Sequence, residues 1–132
     1  MGEGEVSHIA FGPQTKSFVC CSVDNSISSY SLDGTRTHII EGPDRGSELK
    51  CLVTDGTYVV TGGSDGIIRM WNLNALGGEE ERYAIKDSHD GNEVVAICMD
   101  TSGKMMISAG KDGSVCRWKL EKGSPSKSLG LF

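Results

Sequence analysis

The sequence has no Cys-x-x-Cys pair, and its five cysteines, Cys20, Cys21, Cys51, Cys98 and Cys116, are an odd number. The usual ligand spacing of a zinc site is therefore missing, and neither a metal nor a cofactor is expected. All five lie in stretches read as strands, which fits reduced, mostly buried thiols of an intracellular protein. Neighbouring Cys20 and Cys21 point to opposite faces of a strand, so a redox pair is not expected. No apolar signal core follows the polar start MGEGEV, and Val6 stands where a myristoylation pattern needs Ser or Thr. No apolar run reaches transmembrane length, and no Asn-x-Ser/Thr sequon occurs. Helical periodicity is also lacking, because Gly or Asp-Gly breaks the apolar runs roughly every 8–12 residues, as in all-β repeats. These absences lead to the expectation of a soluble cytoplasmic protein without membrane insertion.

What is present is a chain of 132 residues with 37% hydrophobic and 23% charged residues, which allows one ordinary soluble domain. Its net charge of −5 argues against nucleic acid or an anionic membrane as the main partner. Eighteen glycines fit a chain of many tight turns.

Those turns recur in a pattern. The stretch from Glu93 to Leu120 reads as three short strands joined by Thr101-Ser102-Gly103 and Lys111-Asp112-Gly113. Asp-Gly between apolar runs is a strong hairpin signal, since Gly takes positive φ without steric cost. Glu48 to Leu73 repeats the pattern with Asp55-Gly56 and Asp65-Gly66, and Glu5 to Leu32 repeats it with Gly12-Pro13 and Asp24-Asn25. Asp24, Asp65 and Asp112 are equivalent, and each is followed six residues later by an aromatic: Tyr30, Trp71 and Trp118. The aromatics stand 41 (71 − 30) and 47 (118 − 71) residues apart, a period that signals a repeat architecture.

In chain order, strands are expected at Val6–Phe11, Ser17–Ser22, Ser26–Leu32 and Thr35–Glu41, then through the second unit and at Arg82–Lys86, then through the third. The loop Asn74–Glu81 is an exposed acidic insertion, its Glu79-Glu80-Glu81 run a solvated surface. After Leu120 the Ser-rich, basic tail is expected to fray, with Leu129–Phe132 the piece able to dock as a strand.

These residues resemble the WD40 repeat family, whose four-stranded blades carry a recurring His, Ser/Thr, Asp and Trp set. The third unit has all four in His89, Ser108, Asp112 and Trp118. The second has Thr61, Asp65 and Trp71 but no His, and the first has Asp24, with Cys20 and Tyr30 in the other places. The Asp of the family name is replaced by Asn72 and Lys119. The resemblance covers about residues 5–120. It implies an all-β fold of about three four-stranded antiparallel β-propeller blades, at 5–41, 48–86 and 93–120, with a tail at 121–132, the whole of 1–132 forming an incomplete ring. It also implies a structural hydrogen-bond network of Thr61, Asp65, Trp71, His89, Ser108, Asp112 and Trp118. A buried indole N–H needs an acceptor and a buried Asp needs donors, and a Trp–Ser–His–Asp chain supplies both. The same residues taken as a hydrolase triad lack a strained nucleophile turn around Ser108. His8, inside the first strand, reads as a core or interface histidine.

Closed propellers need four to eight blades. The chain is therefore expected to be the C-terminal piece of a larger multidomain WD40 protein. A homodimeric six-bladed ring and an open three-blade array are the alternatives. The function that the resemblance implies is a non-catalytic scaffold binding protein or peptide partners through its top face, with Val23, Glu48, Ser64, Glu93 and Lys111 as candidate contacts and no catalytic residue. A propeller enzyme, hydrolytic or metal-dependent, is one alternative. Phosphoinositide binding is another, although the paired-arginine motif for it is missing.

Overall fold

The computed structural model describes residues 5–12, 16–43, 47–55, 57–74, 81–85, 89–100, 104–121 and 124–127. They form twelve strands and, among the described residues, no helix. Strands β1 (Val6–Gly12), β2 (Ser17–Ser22), β3 (Ser26–Ser31) and β4 (Arg36–Glu41) make the first sheet. Strands β5 (Leu49–Thr54), β6 (Tyr58–Gly63), β7 (Ile68–Asn72) and β8 (Glu81–Ile85) make the second. Strands β9 (Val94–Met99), β10 (Met105–Gly110), β11 (Val115–Glu121) and β12 (Ser124–Lys127) make the third. Each is an antiparallel meander in chain order, the arrangement of a propeller blade.

Turn chemistry explains where the strands reverse. Asp24, Asp65 and Asp112 each accept a backbone N–H two residues on, from Ser26, Ile67 and Ser114, at 3.0–3.1 Å. The residue after each Asp has positive φ: Asn25 at 69°, Gly66 at 80° and Gly113 at 89°. Short side chains that bond their own backbone, followed by a residue able to go left-handed, fix these hairpins.

Two apolar cores lie between the blades. Val19, Cys21, Ile27 and Ile40 of the first blade meet Leu49, Leu52, Val59, Trp71 and Leu73 of the second. On the other side of the second blade, Val60, Ile68 and Met70 meet Val94, Met106, Cys116 and Trp118 of the third. The period-2 alternation of each strand thus serves both faces of a blade. Cys20 and Cys21 follow it: both are buried, but only Cys21 belongs to the core shared with the second blade. The five cysteines are free thiols, with Cys51 half-buried and Cys98 exposed.

The tail differs from expectation. Ser124–Lys127 pairs with β11, with Leu120 opposite Pro125 and Trp118 opposite Lys127. Proline lacks an N–H, and an outermost strand is where that lack is tolerated. The last blade therefore has its fourth strand. Leu129–Phe132 lies outside the described residues, as do Glu79 and Glu80, while Glu81 opens β8 rather than closing the acidic loop.

Candidate protein-interaction face

The third blade holds a chain of side-chain hydrogen bonds from its core to its surface. Trp118 Nε1 donates to Ser108 Oγ at 2.8 Å. Ser108 Oγ lies 2.8 Å from His89 Nε2, and His89 Nδ1 lies 2.6 Å from Ser114 Oγ. Ser114 Oγ donates to Asp112 Oδ1 at 2.6 Å. Counting donors orders the protons. Ser114 gives its single hydrogen to the carboxylate, so it accepts from His89 Nδ1–H. His89 Nε2 is then an acceptor and takes the Ser108 hydroxyl hydrogen, leaving Ser108 to accept from the indole. Every bond points the same way, toward Asp112, the arrangement in which neighbouring bonds polarise one another. The Ser114 O–H and N–H hold the Asp112 carboxyl below its usual range. Gly110 makes room: a Cβ there would sit 2.7 Å from His89 Nδ1 and 2.8 Å from Asp112 Oδ1.

His89 thus reaches Asp112 through Ser114, a link absent from the expected Trp–Ser–His–Asp chain. The Asp-Gly-Ser sequence was the available signal, because a hydroxyl two residues after a turn Asp can bond its carboxylate. The first blade shows the same turn, with Ser26 Oγ donating to Asp24 Oδ1 at 2.7 Å. Ser108 is fully buried and His89 nearly so, which withholds the hydroxyl from any substrate. In the second blade, Trp71 Nε1 donates to Thr61 Oγ1 at 3.0 Å, while Asp65 takes Arg69 as its ionic partner at 3.1 Å. In the first blade, Tyr30 stacks on Phe18 with ring centroids 5.2 Å apart.

The five candidate contacts stand at one end of the blades. Ser64 N–H donates to Glu48 C=O and Lys111 N–H to Glu93 C=O, each at 2.8 Å, so four of the five are joined in two pairs. Ser64 Oγ also accepts the Glu48 N–H at 2.9 Å. Val23 makes the equivalent bond with Glu5, at 2.9 Å. Glu5 is therefore the third member of the Glu48 and Glu93 set, a position that aligning the residues before each first strand could have supplied. Val23 and Lys111 are exposed, and Ser64 and Glu93 half-buried. Glu48 is exposed and ion-paired to Lys50, whose hydrogen bond and charge lower its carboxyl pKa. The same pairing raises the Lys50 pKa.

Two clefts open where the first blade meets the second. One, of about 350 Å³, is lined by Val23, Asp24, Asn25, Ser47 and Glu48. The other, of about 170 Å³, is lined by Ser7, His8, Ser22, Val23, Glu48, Leu49 and Lys50. Val23 and Glu48 border both. Asn25, unremarked in the sequence beyond its turn, closes the floor between the blades. Its side chain accepts from Leu49 N–H at 3.2 Å and donates to the carbonyls of Ser47 and Pro43. At the next junction Gly66 occupies the equivalent turn position, so close to the third blade that a Cβ would lie 2.7 Å from the Gly91 carbonyl carbon.

Comparison with known proteins follows this geometry. The model of the family described as "WD domain, G-beta repeat" matches residues 34–72 and 81–119, more than half of the chain. It leaves the first three strands unmatched. Human BLOC-2 complex member HPS5 is 33% identical over 55 residues, which are 41% of this chain and 5% of that protein. The chain thus matches only a small share of that relative's length. With two family repeats matched and three four-stranded blades packed side by side, the chain belongs to the WD40 repeat family.

Proposed function

We propose that this chain is a non-catalytic protein-interaction scaffold whose top face binds a protein or peptide through Val23, Glu48, Ser64, Glu93 and Lys111. The observation that carries the reading is the pair of clefts at the junction of the first two blades, bordered by an exposed valine and a carboxylate. An apolar contact flanked by charge suits an extended peptide, whose side chains alternate in character. The relative's description as a member of a complex supports a role in assembly. Neither the family nor that relative supports the enzymatic or phosphoinositide alternatives. The proposed setting is the cytoplasm, and the repeats are proposed to act within a larger protein or assembly.

Peptide display on the intact chain, followed by titration of a selected peptide, tests the proposal. Lys111→Glu and Val23→Asp are each expected to weaken binding by about tenfold, roughly the loss of one good contact. Unchanged affinity in both variants overturns the assignment of this face.

A further inference from the structure

We infer that the larger cleft between the first two blades takes an arginine side chain of the bound peptide, its guanidinium on the Asp24 carboxylate and its stem along Val23. This assignment rests on the top-face reading and concerns a junction inside the chain.

The three equivalent turn aspartates differ in the use of one atom. All three engage Oδ1 in their own turn: Asp24 with the N–H and O–H of Ser26, Asp65 with the N–H of Ile67, and Asp112 with the N–H and O–H of Ser114. The second oxygen is occupied in two of them. Asp65 Oδ2 accepts from Arg69 Nη2 at 3.1 Å, and Asp112 Oδ2 from Asn92 Nδ2 at 3.4 Å. Asp24 Oδ2 has no hydrogen-bond donor among the described residues. The sequence explains the difference. Arg69 stands four residues after Asp65, and the same step from Asp24 reaches Ser28, which is short and buried. Asn92 precedes Glu93, and the residue that precedes Glu5 is Gly4, which has no side chain. The first blade therefore has neither internal donor at the equivalent positions, and its open carboxylate borders a cleft.

That cleft has the size and charge for the donor. Its volume of about 350 Å³ falls within the range of small-ligand pockets, about 300–1,000 Å³. Asn25 helps to open it. Its side chain fills the floor between the blades, bonding Leu49, Ser47 and Pro43, where Gly66 at the next junction lets the segment before the third blade close in. Asp24 and Glu48 line the cleft, and among the described residues no basic side chain does. The N–H and O–H of Ser26 hold the Asp24 carboxyl below its usual range, so it is ionised at neutral pH. Lys50 pairs with Glu48 and, together with His8, lines the smaller cleft, so the cation belongs in the larger one, on Asp24. Arginine suits the place better than lysine, because its planar fork matches a carboxylate while its stem lies on apolar surface. Val23, 57% exposed at the rim, provides that surface. The Asp65–Arg69 pair is the same contact made within the chain.

Peptide selection on the intact chain is expected to enrich arginine. Replacing that arginine by glutamine in a selected peptide should weaken binding about five- to tenfold, and Asp24→Asn should do the same, each removing one charge-assisted contact. Asparagine keeps Oδ1 for the Ser26 donors and removes the charge. The glutamine peptide should bind Asp24→Asn and the wild type alike, since the contact is already lost. Asp112→Asn makes the same change at a turn whose second oxygen is already bonded, and should leave affinity unaltered. Selected peptides without arginine overturn the assignment. So does an Asp24→Asn variant that binds as the wild type does, or an equal loss in Asp112→Asn, which would trace both losses to the turns rather than to the ligand. If Val23→Asp and Lys111→Glu still weaken binding in those cases, the top face stands and only the arginine is refuted; if they do not, the face itself is refuted.

Discussion

The first and third blades have the same strand order and the same Asp turn, yet they fix their second and third strands by different means. In the third, Trp118, Ser108, His89 and Ser114 form a directed relay that ties the segment before β9 to the strands behind it. In the first, Phe18 and Tyr30 fill the same place with a ring stack, and no equivalent of His89 is among the described residues. A relay is intolerant of partial loss, because each buried group depends on the next. A stack loses area in proportion to what is removed. The third blade is thus held by its own polar interior, and the first by the area that its ring stack buries.

The largest expected effect separates these two modes directly. Trp118→Ala should cost about 3–5 kcal/mol in urea unfolding, the range for a buried aromatic that leaves a cavity. Tyr30→Ala, at a half-buried position, should cost about 1–2 kcal/mol. Equal losses would erase the contrast. A double-mutant cycle sharpens it: His89→Ala and Ser108→Ala should couple by about 0.5–2 kcal/mol, as residues of one network do. Additive losses would mean that the relay is a geometric coincidence.

The smallest effect lies in pH, and here the blades should agree. Asp112 is held below its usual range by Ser114, and Asp24 by the N–H and O–H of Ser26. A carboxyl whose folded pKa is depressed contributes stability that is complete above its unfolded pKa and lost as pH falls through the folded value. Melting temperature should therefore fall on acidification below the usual carboxylate range. Ser114→Ala and Ser26→Ala should each flatten that fall slightly. A steeper fall in either variant would contradict the assignment of the hydroxyls as the stabilising donors.

The strands and hairpins were legible because their causes are local: Asp followed by Gly or Asn, then apolar alternation. Trp71–Thr61 and Trp118–Ser108 were legible because both partners recur at a fixed spacing. Ser114 was missed because it belongs to the turn rather than to the recurring set. Asn25 was missed because its partners, Ser47 and Leu49, lie more than 20 residues away across a blade junction. Strand β12 was not expected, because Ser-Pro-Ser-Lys has no apolar alternation and its pairing is supplied by the edge of β11. The clefts at the first junction were invisible for the same reason as Asn25, since they exist only between blades.

The matched family stretches do not coincide with the blades. Residues 34–72 begin beside β4 of one blade and end with β7 of the next, and residues 81–119 run likewise from β8 into β11. A single sequence unit therefore contains both sides of a junction. Duplicating such a unit in a gene would insert a blade together with the strand that completes its predecessor. A propeller could then grow by whole units without passing through a form with an unfinished sheet.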